Sequence, residues 1–139
     1  MGHYVDTTDV DRRIPTVRQV QLTSDTGAEV DTSVVDEAIH AAEGEANGYL
    51  AMQYVVPVDL VAHPDVEATL RGAVLDIVVY RLHLRRPPVP EDTTRARDNA
   101  IAWFRLIAEG KIKLPTDERP QSAASGSAWG GTAANRPEQ

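Results

Sequence analysis

Residues 64–86 read Pro64-Asp65-Val66-Glu67-Ala68-Thr69-Leu70-Arg71-Gly72-Ala73-Val74-Leu75-Asp76-Ile77-Val78-Val79-Tyr80-Arg81-Leu82-His83-Leu84-Arg85-Arg86. Pro64 suits the first helical turn, and Asp65 and Glu67 sit where a helix dipole favours negative charge. From Ala73 to Leu84 the stretch is apolar on most sides. A helix of that kind is the buried centre of a small bundle. The run is too short and too interrupted for a membrane span, which needs about 20 apolar residues. Pro87-Pro88 stops the helix near Arg85.

On its amino-terminal side, Asp31 can cap a second long helix over about residues 32–52. Val35, Ala38, Ile39, Ala42, Ala46, Tyr49 and Leu50 form its apolar stripe, with Asp36, Glu37, Glu43 and Glu45 read as off the stripe. Gly44 and Gly48 point to close packing or weakened last turns. Residues 54–62 read as a connecting loop, with Pro57 preventing continuation. Nearer the start, Thr8 with Asp11 resembles a capping box for a short first helix that Pro15 ends. Residues 17–22 are open between extended chain and a helical turn, and residues 23–28 read as a turn.

On the carboxyl-terminal side, a last helix follows Pro90, with Glu91 and Asp92 in its first turn. Ala96, Ala100, Trp103 and Ile107 make one ridge, and Ile101, Phe104 and Ala108 the next. Gly110 is a stop signal. Lys111-Ile112-Lys113-Leu114 alternates as a short strand or arm would. The expected fold is therefore all-α: a small bundle of about four helices with a short C-terminal extended arm.

The chain has 139 residues and no Cys, which excludes a disulfide framework and Cys-based metal or redox sites. Residues 1–4, Met1-Gly2-His3-Tyr4, lack the basic and apolar regions of a secretory signal. The net charge of −7 argues against a DNA-coating protein. The distribution is polar along the chain: residues 19–70 hold ten acids and no Lys or Arg, whereas residues 71–113 hold nine bases and five acids. Such a split suits head-to-tail association, one subunit's acidic face meeting the next one's basic face. Pairing of the same charges within the monomer is the equal alternative.

Candidate interface residues follow from the basic half. Arg81, Arg85 and Arg86 cluster at the end of the central helix, and Arg95 and Arg97 open the last one. They offer a patch for an acidic protein partner, or simply cations near a helix C-terminus. From residue 116 the composition turns to Ala, Ser, Gly, Pro and polar residues, too poor in apolar surface to fold alone. Domain boundaries are accordingly 1–115 for a helical domain and 116–139 for a flexible arm ordered on a partner. Trp129 is the large apolar group of that arm and suits an anchor in a pocket.

Catalytic chemistry has little support. His3, His40, His63 and His83 are dispersed and form no metal-ligand pattern. No phosphate loop, GxSxG or Cys nucleophile is present. Asp76, Tyr80 and His83 share a face at i, i+4 and i+7. They read as a buried polar network or subunit contact, with Asp76 meeting Arg105 or Arg97, rather than as an acid/base pair lacking a nucleophile. The expectation is no enzyme, no cofactor and no metal.

Several stretches together resemble the Mu-like phage neck proteins, the head–tail connector (adaptor) proteins of tailed phages. They are Tyr4, Asp9 and residues 21–25; Asn47-Gly48-Tyr49-Leu50 leading to Tyr54 and Pro57; Asp76-Ile77 and Tyr80-Arg81-Leu82; and Ala100-Ile101, residues 106–111 and Leu114. The resemblance spans about residues 4–114. It implies a helical protein forming a twelve-fold ring below the portal protein, extending the DNA channel and docking the tail through a terminator or stopper protein. DNA would pass without specific binding, and no membrane would be involved. The implied location is the virion neck, with the host cytoplasm during assembly. The alternatives are a tail terminator protein and, further off, a small helical DNA-binding regulator.

Overall fold

The computed structural model describes residues 2–61 and 64–114. Five helices follow one another: α1 (Thr7–Arg13), α2 (Thr16–Thr23), α3 (Thr32–Leu50), α4 (Pro64–His83) and α5 (Glu91–Ala108). The protein is an all-α small bundle, with no strand among the described residues. Residues 17–22, open from sequence, belong to a helix. Residues 111–114 are an arm and not a strand. The segment 116–139, Trp129 and His63 lie outside the described residues.

The first helix starts two residues earlier than its Thr8–Asp11 pattern suggests. Asp6 is the N-cap: its carboxylate accepts from the Asp9 N–H at 3.0 Å, while the Asp9 carboxylate accepts from the Asp6 N–H at 3.0 Å. This reciprocal pairing satisfies two helix-end donors. Asp11 is left to bind Gln19, whose Nε2 donates to Asp11 Oδ1 at 2.9 Å and to the Ile14 carbonyl at 3.0 Å. Gln19 is buried and so fixes the corner between α1 and α2.

Thr23 then joins α2 to α3. Its hydroxyl donates to the Gln19 carbonyl at 2.8 Å and accepts from the Asp31 N–H at 2.9 Å. Asp31 caps α3 as expected, accepting from the Ser33 and Val34 N–H groups. The α3 stripe is buried at Val35, Ala38, Ile39, Ala42, Ala46 and Leu50. Glu43, read from sequence as outside that stripe, is buried as well, at 5% exposure. Open space surrounds the positions a Cβ would take at Gly44 and Gly48, so neither marks the expected close packing.

The central helix α4 packs against α1, α2, α3 and α5. Leu70, Val74, Ile77, Val78 and Leu82 are fully buried along it. Each such side chain contributes about 1.5–3 kcal/mol relative to exposure. From α5, Phe104 fills the remaining space, edge-on to Trp103 at 5.2 Å and stacked on Tyr49 of α3 at 6.3 Å between centroids. Gly110, with φ +78, closes α5 in the left-handed conformation that disfavours other residues. The Gly110 N–H reaches the Ile107 carbonyl and the Lys111 N–H the Leu106 carbonyl, the Schellman pattern. Among the described residues no helix is long and apolar enough to cross a membrane.

Candidate functional site

Four arginines of the basic half, Arg81, Arg85, Arg86 and Arg97, converge on acids and carbonyls of the acidic half. Glu45 of α3 bridges two of them: Arg81 of α4 at 3.5 Å and Arg97 of α5 at 3.1 Å. The Arg97 guanidinium also lies 5.3 Å from the centre of the Tyr80 ring, within cation–π range. The Nε atoms of Arg81 and Arg97 are buried without a hydrogen-bond acceptor among the described residues.

Arg85 has a different task. Its Nη1 donates to the carbonyls of Leu22 at 2.9 Å and Thr23 at 2.8 Å. These are end carbonyls of α2, which lack intrahelical donors and carry the dipole's negative end. Arg85 therefore caps a helix other than its own. Arg86 lies 3.3 Å from Asp25 in the following turn. Among the described residues Arg95 pairs only with Glu91 and Asp92 of its own first turn, and its side chain is 62% exposed. Of the two uses of the split charge, pairing within the chain thus accounts for Arg81, Arg85, Arg86 and Arg97.

Asp76, Tyr80 and His83 share the expected helix face but do not hydrogen-bond to one another. Asp76 pairs with Arg13 of α1 at 2.8 Å, not with Arg105 or Arg97. Tyr80 lies under Arg97. His83, 7% exposed, has Nδ1 at 2.9 Å from the carbonyl of Val79, one turn back. The single network divides because α1, α5 and the helix backbone each supply a nearer partner than the neighbouring turn does.

Asp76 and His83, but not Tyr80, border a cleft of about 350 Å³ where the α1–α2 corner meets α4 and the first turns of α5. Ile14, Pro15, Val79 and Ala96 give it a mostly apolar wall. Arg13, Arg18, Asp76, His83, Asp92 and Thr93 are its polar lining residues. Among the described residues no group of three His, Asp or Glu is placed to hold a metal ion.

Sequence reasoning missed the tie that holds the amino-terminal segment. The Glu43 carboxylate accepts three backbone N–H groups, from His3 at 2.9 Å, Tyr4 at 2.7 Å and Val5 at 3.0 Å. A side chain at Gly2 would collide with that carboxylate. The Tyr4 hydroxyl donates to Asn47 Oδ1 at 2.7 Å and accepts from the Val58 N–H at 2.8 Å. Arg71 donates to the Tyr4 carbonyl at 2.9 Å. The available signal was Glu43's spacing, four residues beyond Ile39 on the buried side of α3.

Compared with known families, residues 4–130 match the one described as Bacteriophage Mu, Gp36. The chain belongs to the bacteriophage Mu Gp36 family. It is a Mu-like phage protein of the virion-associated, structural class. A search of curated proteins finds no significant match. The Gp36 match runs beyond residue 114, where the resemblance read from sequence ends, and takes in Trp129. The residues that carried the resemblance hold this Gp36-family scaffold together. Tyr4 and Asn47 bond to each other, Tyr49 stacks on Phe104, and the Tyr54 hydroxyl holds the Leu114 N–H.

Proposed function

We propose that this chain is a head–tail connector: an adaptor that forms a ring below the portal, extends the DNA channel and docks the tail. Membership of the Mu Gp36 family over residues 4–130 carries this reading. A helical body whose buried core draws on all five helices and on the segments around Tyr4, Tyr54 and Leu114 suits a compact ring subunit. The net charge of −7 suits a wall past which DNA slides without sticking. Arg81, Arg85, Arg86 and Arg97 already have partners in the chain, which further reduces free positive charge for phosphates. On this reading the protein is not an enzyme. Its partners are the portal protein, copies of itself and a tail terminator or stopper protein, and its place is the virion neck. The arm of residues 116–139 orders on the portal or a neighbour.

The decisive experiment is deletion of the gene in its phage. DNA-filled heads without attached tails are expected, rescued by the gene supplied in trans. Finished, tailed particles from the deletion would refute the reading. Imaging the labelled subunit separates the connector from a tail terminator: direct contact with the portal is expected, and a position one layer away would transfer the chain to the terminator role.

A further inference from the structure

Arg105, Lys111 and Lys113 are exposed where α5 ends and the arm begins. Among the described residues Arg105 and Lys113 form no ion pair, and Lys111 meets only Glu109, at 3.2 Å. Exposed apolar side chains stand beside them, Met52 at 64% and Leu106 at 37%. The Lys111 N–H binds the Leu106 carbonyl at 2.9 Å, and Gln53, next to Met52, binds the Ala108 carbonyl at 3.2 Å. All five residues therefore belong to one end of the bundle. We propose that this apolar and basic patch docks on a second copy of the chain, in the groove between that copy's α3 and α4 beside Glu37. Closure of such contacts into a ring rests on the connector reading; the contact itself does not.

Charge is the first argument. Glu29 and Glu37 are exposed around the start of α3 and have no ion pair among the described residues. Because Gln53, just past α3, holds the end of α5, the start of α3 lies at the other end of the bundle. From Glu37 to Leu50 the helix rises about 20 Å. Charges in water are screened beyond about 8 Å at physiological salt. The acids and the bases thus cannot neutralise one another within one chain, whereas those of two copies can meet directly. A two-fold contact of the basic patch with itself would oppose like charges. Opposite signs at opposite ends favour instead a head-to-tail contact, the kind that closes into rings.

Apolar fit is the second argument. The groove beside Glu37 has a volume of about 380 Å³, and Val34, Ala38, Ala41 and Leu82 are its apolar lining. Val34 and Ala41 are still half-exposed there. Leu106 or Met52 of the docking copy has an apolar surface to cover, and Arg105 and Lys113 reach acids at the edge. An apolar centre with a charged rim is the usual anatomy of a protein interface. Arg81 and Arg85 also border the groove, but Glu45 and the α2 carbonyls already engage them. Duplex DNA is the other partner that cations suit. A phosphate backbone has no use for the exposed Met52 and Leu106, and Glu109 in the same patch repels it.

The test is chemical trapping in the full-length chain, which has no Cys of its own. Ala41→Cys marks the groove and Glu109→Cys the patch, in one chain. The sites are about 18 Å apart, measured along α3 from Ala41 to Gln53, so a short bismaleimide joins them only between copies. A ladder of dimers, trimers and longer products is expected, with helical circular dichroism unchanged. Adding Arg105→Glu with Lys113→Glu should abolish the ladder, as should adding Glu29→Lys with Glu37→Lys. Mixing these two charge-reversed proteins should restore it, because each then offers the sign the other lacks. Absence of a ladder overturns the proposal, as does one that stops at dimers or ignores both reversals. Loss of duplex-DNA retention in Arg105→Glu/Lys113→Glu with the ladder intact also overturns it, since the patch then serves DNA. The gene deletion reads the connector role separately: a ladder alongside finished, tailed particles keeps this contact and removes that role.

Discussion

The Tyr54 hydroxyl accepts a hydrogen bond from the Leu114 backbone N–H at 2.7 Å, joining residues 60 apart in sequence. Both residues are buried, Tyr54 at 2% and Leu114 at 6% exposure. A lost acceptor there cannot be replaced freely by water. Tyr54→Phe keeps the ring and removes only the oxygen, so it should destabilise the fold by about 1–3 kcal/mol, the cost of an orphaned buried donor. Urea unfolding of the two proteins measures it. An unchanged midpoint would mean that the arm is not held by this bond.

Glu43 should prove costlier. It serves three backbone donors at once, from residues 3, 4 and 5. Glu43→Gln turns an acceptor-only group into one that offers its own N–H groups to those donors. A loss of about 2–3 kcal/mol is expected, with residues 2–5 exchanging their amide protons faster. Glu37→Gln on the exposed face of the same helix is the control and should stay within about 0.5 kcal/mol.

Arg85 and Arg95 separate folding from association. Arg85→Met removes the cap on the α2 carbonyls and should cost about 1.5–3 kcal/mol, as for hydrogen bonds to charged groups. Exchange at residues 22–31 should rise with it. Among the described residues Arg95→Glu breaks only exposed pairs within one turn, and it should change stability by less than about 1 kcal/mol. If Arg95 faces a partner, that same substitution impairs assembly while folding is intact. Normal particle assembly by Arg95→Glu would remove it from any interface.

Asp31 gives a pH dependence. The hydrogen bond from the Ser33 hydroxyl, with those from the Val34 and Ser33 N–H groups, holds its carboxyl below the ordinary 3.8. A depressed folded value means that stability is present above the unfolded value and lost as pH falls through the folded one. The stability difference between the protein and Asp31→Ala should therefore be constant from neutral pH down to about 5 and shrink below 4. A difference that stays flat to pH 2 would show that the neutral acid caps α3 as well as the carboxylate does.

The long helices were legible because their ends and cores use side chains with one strong meaning. Pro64 and Pro87 bracket α4, Asp31 opens α3, and Gly110 closes α5. The short α2 was not, because one buried aliphatic, Leu22, shares its inner face with the polar Gln19 and Thr23. Hydrophobic periodicity carries no record of a helix held by polar groups. The arginine patch was legible as a cluster but not as a destination. Arg85 seeks two main-chain carbonyls more than 60 residues away, and Arg81 and Arg97 share Glu45. Glu43 was hidden for a related reason: its partners are backbone N–H groups, which every residue but proline possesses.

The two tyrosine ties have a topological consequence. Tyr4 is bonded to Val58 and Leu114 to Tyr54, four residues apart on one connecting segment. Residues 4 and 114, near the two ends of the described residues, are thus delivered to the same place. A circular permutant should then be obtainable, with a short linker running from residue 114 to residue 2. New termini can be opened in the exposed turn around Gly27, where a Cβ would meet no atom beyond its chain neighbours. Such a chain would present both of its new ends on the opposite flank of the bundle, with the five-helix core unaltered.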